Sequence, residues 1–188
     1  MLGGDHPDTL TSRNNLAYAY RSAGNLRRAI PLFERTLADR ERVLGEDHPD
    51  TLQSRNNLAS AYRSAGDLRR AIPLFERTLA DAERVLGSDH PETLRLRNNL
   101  AGAYEAVGDL SRAVRLLERN VTDCERILGG DHPDTLNSRH NLAGAYELAG
   151  DLRRAIPLYA STLADCERVL GKDHPLTRLV RSNLRALQ

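Results

Sequence analysis

Lysine is nearly missing from this 188-residue sequence: of 27 basic residues only Lys172 is lysine, and the abundance of Ala, Gly and Arg points to a GC-rich bacterial gene. An excess of either charge is missing too. The basic residues face 26 acidic ones, a net charge of +1, so no overall field recruits nucleic acid or an anionic membrane. No segment approaches the roughly 18 apolar residues of a membrane span, and the opening "MLGGDHPD" lacks the apolar core of a signal peptide. A cytoplasmic chain is expected. Cysteine is scarce, and Cys124 and Cys166 occupy one slot that holds Arg40 and Ala82 elsewhere. Stacked helices lie ~8–10 Å apart, beyond the reach of a disulfide, which predicts two free thiols in a reducing compartment. The sequon at Asn120 would need secretion and is discounted. Linkers, low-complexity tracts and a phosphate-cradling glycine loop are absent as well.

What fills the sequence is repetition. "DHP" recurs at Asp5, Asp47, Asp89, Asp131 and Asp173, always 42 residues apart. Four repeats run over about 3–44, 45–86, 87–128 and 129–170, with a shorter piece over 171–188. Fixed-period self-similarity marks a solenoid, in which no repeat buries its apolar face alone and stacked neighbours share a continuous core. A single domain over 1–188 is expected.

In the second repeat, Asp47 is suited to cap a helix, Pro49 sits where a missing N–H is harmless and Asp50 puts negative charge in the first turn. Leu52, Leu58, Ala59, Tyr62 and Ala65 form one stripe of helix A, which Gly66 and Asp67 end. Helix B follows from about Leu68 to Leu86, with Leu68, Ala71, Phe75, Leu79 and Val85 facing inward and Gly87 as its stop. Pro73, like Pro31 and Pro157, falls inside helix B and predicts a mild kink.

The stripe Leu58, Ala59, Tyr62, Gly66, Leu68, Ala71, Phe75 resembles the tetratricopeptide repeat. The 42-residue period with "LGxDHPxTL", "NNLAxAY" and "AIPL" is similar to the kinesin light chain type, also found behind nucleotide-binding ATPase modules in bacterial signalling proteins. The resemblance covers nearly the whole chain. It implies an all-α, right-handed superhelical solenoid of helix hairpins: four repeats and a C-terminal capping helix. Two features depart from the pattern. Arg13, Arg55, Arg97 and Arg139 take a slot that is usually apolar, and no coiled coil or ATPase module supports cargo transport or nucleotide switching. These arginines recur in step with Asp39, Asp81, Asp123 and Asp165, which predicts half-exposed ion pairs to helix B.

Catalysis needs unlike groups converging at one place, whereas a repeated sentence sets the same residues everywhere. The DHP histidines, His6, His48, His90, His132 and His174, stand a repeat apart and cannot converge on zinc; each is expected to pack at a helix entry. His140 replaces the first Asn of "NNLA" and is expected on the inner face. No enzyme, cofactor or metal is therefore expected.

The resemblance places helix A along a concave groove and maps inner positions onto Asn15, Asn57, Asn99 and Asn141, then Arg21, Arg63, Arg95, Glu105 and Glu147. The first two repeats differ at five places: Gly4/Glu46, Thr11/Gln53, Tyr18/Ser60, Asn25/Asp67 and Arg40/Ala82, two of them on this face. The Asn row does not drift, although Asn is a mediocre helix former. A carboxamide row can pair with any extended peptide, or each Asn bonds a neighbouring carbonyl and holds the stack. The expected function is a protein-interaction module whose groove takes a peptide, acidic toward the first repeats; the alternative is a spacer or self-assembling, designed scaffold. At the ends, Arg185 replaces the small Ala17, Ala59, Ala101 and Ala143 and predicts a polar cap, while apolar residues such as Leu10 on the outer side of the first helix predict either end-to-end homo-oligomerisation or a native upstream repeat that covers them.

Overall fold

The computed structural model describes Gly3 and residues 5–187; Gly4, one of the five differing places, and Gln188, the last residue of the expected cap, lie outside it. The described residues form nine helices and no strand: α1 Pro7–Ser22, α2 Leu26–Leu44, α3 Pro49–Ser64, α4 Leu68–Val85, α5 Pro91–Val107, α6 Leu110–Leu128, α7 Pro133–Leu148, α8 Leu152–Val169 and α9 Pro175–Ala186. They divide between two compact units, Met1–Ala103 and Tyr104–Gln188. In the first, α2 packs between α1 and α3, and α3 also packs on α4; in the second, α6, α7, α8 and α9 pack in succession.

The helix-A start differs from the sequence expectation. The cap is His48, not Asp47: its backbone is extended, and its Nδ1 accepts the N–H of Asp50 at 3.1 Å. His6, His90, His132 and His174 do the same at 3.2 Å. Asp47, one residue before the cap position, instead pairs with Arg84, which donates to both its carboxylate oxygens (2.9 and 2.5 Å), and Arg168 holds Asp131 in the same way. Helix A ends where Gly66 adopts φ +76° and the Asp67 N–H reaches back to Tyr62 C=O, a left-handed stop that costs glycine little. Asp67 then caps α4 by accepting the Arg70 N–H, whereas Asn25, its counterpart, caps nothing. Helices α2, α4 and α8 run unbroken through Pro31, Pro73 and Pro157.

Leu52, Leu58, Ala59, Tyr62, Ala71, Phe75 and Leu79 are buried as the stripes require. Ala65 and Val85 are not, because the first lies at the helix-A cap and the second in the last turn of α4. Leu10 also departs from expectation: it is 1% exposed, while Leu16, at 48%, and Tyr18, at 51%, face outward from α1. In the second unit the core gathers Leu136, Ala143, Tyr159, Cys166, Val180 and Leu184. Arg185 is exposed at its slot.

The recurring arginines are structural. Arg55 has no side-chain exposure; it donates to Asp81 of its own repeat at 2.7 Å and to Glu41 of the preceding one at 3.1 Å. Arg139 joins Asp165 and Glu125 likewise (2.9 and 2.7 Å), and Arg181 meets Glu167 at 2.7 Å. These are fuller burials than the half-exposed pairs expected, since the stem fills a slot between three helices. The slot of Cys124 and Cys166 is keyed to its opposite number. Arg40 donates to Ser54 Oγ at 2.9 Å and Cys124 lies 3.6 Å from Ser138 Oγ, while Ala82 and Cys166 answer to the larger Leu96 and Val180 at the equivalent places. Both thiols are free and buried. Asn120 is fully buried and donates to Ser138 at 3.0 Å, so folding closes that sequon.

Candidate peptide-binding surface

Helix A carries the predicted site residues, and the Asn row is engaged from helix to helix. Asn57 Nδ2 donates to Asn14 Oδ1 at 3.1 Å, and Asn99 Nδ2 to Asn56 Oδ1 at 2.9 Å. Asn57 and Asn99, each the half-buried second Asn of "NN", thus bond the side-chain carbonyl of the first Asn of the preceding repeat. Asn15 is exposed, and Asn141 is half-buried in the second compact unit.

In the first unit five of the predicted residues line one concavity of about 460 Å³: Arg21, Arg63, Arg95, Asn57 and Asn99. Tyr18 closes one side, its ring 4.7 Å under the Arg21 guanidinium. Arg63 donates to Asn99 C=O at 3.4 Å and lies across Gly102, where a Cβ would come within 2.7 Å of Nη1. Gly102 therefore leaves the room this guanidinium occupies. Arg95 is steadied by Glu92, one turn earlier on its own helix, through Nε (3.0 Å) and Nη2. Planar guanidinium forks beside carboxamide donors form a surface that matches carboxylates in geometry and charge.

In the second unit Glu147 is not bare. Tyr159 Oη donates to Glu147 Oε2 at 2.9 Å, accepts from Asn183 at 3.4 Å and sits over Gly144. Burial first, and then the bond to and charge of Glu147, push the Tyr159 hydroxyl up to about 12 against the Asn183 bond, which lowers it, so it remains a donor. The His140 ring lies 5.8 Å from that of Tyr159, its Nδ1 is buried without a partner, and burial pulls its pKa below the ordinary histidine value. Glu105 also lies close enough to act on Tyr159. Sequence reasoning missed Tyr159; the signal was a Tyr where the other repeats have Phe33, Phe75 and Leu117.

Tyr62 and Tyr146 each complete a triad. Tyr62 Oη donates to Glu34 at 2.6 Å with Arg70 4.1 Å over its ring, and Tyr146 meets Glu118 at 2.7 Å under Arg154. Burial, then the carboxylate, raises both phenols to about 12. Among the described residues no group of three or more His, Cys, Asp or Glu is placed to hold a metal, and no helix is long and apolar enough to cross a membrane.

A family model described as "Tetratricopeptide repeat" matches residues 9–50, 51–92, 93–134 and 135–176, the same 42-residue period in a different phase. The chain belongs to the tetratricopeptide repeat family, whose helical repeats generally mediate protein–protein interactions and are typically non-catalytic. It is similar to a crystal structure of a Podosopora anserina protein assigned as a kinesin light chain with nearly identical TPR-like repeats: 34% identity, TM-score 0.84, 97% of this chain and 86% of that one. A single-substitution variant of that protein gives 32%, 0.85, 100% and 87%. BtubC (BKLC) of P. vanneervenii shares the fold at 22% identity and TM-score 0.78, over 90% of this chain and 68% of that one. No curated protein matches the chain by sequence.

Proposed function

We propose that the chain is a protein-interaction module that holds an extended, acidic segment of its partner against helix A of the first repeats. The observation that carries this reading is the convergence of Arg21, Arg63 and Arg95 with Asn57 and Asn99 on one concavity of about 460 Å³. The forks take carboxylates, and the carboxamides retain capacity for a peptide backbone. In the second unit Asn141, Glu105 and Glu147 are suited to neutral or basic residues of a partner. Exposed charges contribute little each, so affinity is micromolar, roughly −8 kcal/mol, and weakens in salt. A bacterial, cytoplasmic setting accords with the codon bias and the buried free thiols. The test is a pull-down with the wild-type chain against Asn57→Ala and Arg63→Glu, followed by peptide titration. Binding unaffected by either substitution places the site elsewhere.

One observation favours the spacer reading instead: the Asn57–Asn14 and Asn99–Asn56 bonds join neighbouring repeats. If Asn57→Ala lowers stability and leaves every interaction intact, the row serves the stack alone.

A further inference from the structure

In the first unit the concavity along helix A suits one dense anion rather than an apolar anchor. Ten residues line it, and none of them is aliphatic or acidic. Burial of apolar side chains therefore contributes little to anything that docks there, and charge and hydrogen bonds have to hold it. Three guanidiniums reach the space, and Glu92, outside the lining, offsets one of them, which leaves two positive charges to be met.

Each guanidinium is steadied by a different device, and a guanidinium carries more N–H donors than any of these contacts uses. Arg95 gives Nε and Nη2 to Glu92. Arg63 gives Nη1 to Asn99 C=O at 3.4 Å, in the room that Gly102 leaves. Arg21 lies 4.7 Å over the Tyr18 ring, a contact through its face that consumes no donor. Forks held in this way lose little freedom when a ligand arrives. Acceptors of the lining are partly taken, Asn56 Oδ1 by Asn99 and Asn99 C=O by Arg63. A donor-rich space with two positive charges to meet matches a phosphate monoester, close to a dianion with three acceptor oxygens on one centre, better than a carboxylate with one charge and two oxygens. The second unit has Glu105 and Glu147 where Arg21 and Arg63 stand, so this chemistry belongs to the first repeats alone.

We propose that the concavity recognises a phosphorylated serine or threonine in the partner's segment, with the phosphoryl group among Arg21, Arg63 and Arg95 and the flanking backbone on Asn57 and Asn99. The assignment rests on that concavity being the partner-binding surface, and it names the acidic group taken there. Asn57 and Asn99 each keep a carboxamide oxygen and one N–H beyond the bond to the neighbouring repeat, which suits a peptide better than a free anion.

The test titrates the full chain with capped, glycine-rich peptides that are identical except at the centre, which holds phosphoserine, two adjacent glutamates of matching charge, or serine. Amide chemical shifts report binding, with Gly102 as the probe inside the site. The phosphoserine peptide is expected to bind about tenfold tighter than the glutamate pair, and the serine peptide least. Arg21→Gln and Arg63→Gln, at half-buried positions, are each expected to weaken it about tenfold with unchanged urea midpoints, and Arg63→Lys, which keeps the charge without the fork, does not restore it. A glutamate pair that binds as tightly as phosphoserine overturns the phosphoryl assignment and leaves the acidic-segment reading standing. Phosphopeptide affinity unchanged by both arginine substitutions overturns it, as does inorganic phosphate that binds as tightly as the phosphopeptide, since the site then holds an anion without a segment. If no peptide shifts residues of the concavity, both readings fall.

Discussion

Arg55, a side chain without solvent exposure, donates from Nη2 to Glu41 Oε1 at 3.1 Å across the junction of the first two repeats. With Asp81 on its other side it is a buried cation between two partly exposed carboxylates. Losing one member of such a cluster is worse than never having built it, because the partners lose their counter-charge and the stem leaves a void. Arg55→Ala is expected to cost about 3 kcal/mol in urea unfolding. Arg55→Leu keeps most of the packing and is expected to cost less. A variant as stable as wild type would make the ion pair dispensable.

The histidine caps are testable one at a time. His48→Ala removes the acceptor for the Asp50 N–H and is expected to lose about 1 kcal/mol, as cap removals do. His48→Asp, a stronger cap residue, is expected to restore it. Paired urea curves give both values.

Gly102 separates stability from binding. It lies inside α5, so Gly102→Ala is expected to gain about 0.5–1 kcal/mol of helix stability, because the atom its Cβ meets is the movable tip of Arg63. The same methyl pushes that guanidinium out of the concavity. A higher melting temperature with weaker binding of an acidic peptide is the expected pair of results.

For the Asn57–Asn14 pair, a double-mutant cycle of Asn14→Ala and Asn57→Ala is expected to give a coupling of about 0.5–1.5 kcal/mol. Zero coupling would remove the stacking role.

His140 makes stability depend on pH. Burial lowers its folded pKa, with the Glu147 charge opposing, so the folded state binds fewer protons than the unfolded one below the ordinary histidine range. Stability is therefore constant with respect to this group above about pH 6.5 and falls as the pH drops through that value toward the folded pKa. His140→Asn, which restores the residue found at positions 14, 56 and 98, is expected to remove that dependence. Urea midpoints at pH 7.5 and 5.5 for both proteins measure it.

Much of the fold is legible in the period: "DHP" places the start of every helix A, and the single glycines between helices place its end and that of helix B. Legibility stops where a residue has two competing partners. Asp47 has the better capping chemistry, yet the helix starts at Pro49, which puts His48 in the cap position and leaves Asp47 to pair with Arg84. Leu10 and Leu16 are both apolar residues of α1, and periodicity alone does not say which depends on a neighbouring repeat for cover. The Asn row was ambiguous for the same reason, since a carboxamide serves a neighbour and a ligand with the same atoms. The Arg21, Arg63 and Arg95 cluster was readable because the resemblance to the repeat family maps two inner positions of helix A onto them. The Tyr159, Glu147 and His140 cluster was not, as it joins two substitutions that look unrelated in the sequence.

The keyed junction slot, Arg40 with Ser54, Ala82 with Leu96, Cys124 with Ser138 and Cys166 with Val180, bears on how such a chain finds its own order. Nearly identical hairpins invite mispairing while they fold, and a helix B could settle on the wrong helix A with most of its contacts satisfied. A large charged residue needs a small polar one opposite, and a small residue leaves a void unless something bulky fills it. Shuffling the repeats therefore breaks several junctions at once. Sequences that look interchangeable thus differ at the slot that meets the next repeat, and a gene rearrangement that swapped the first two repeats would yield a chain with the Arg40 guanidinium facing Leu96 in place of Ser54.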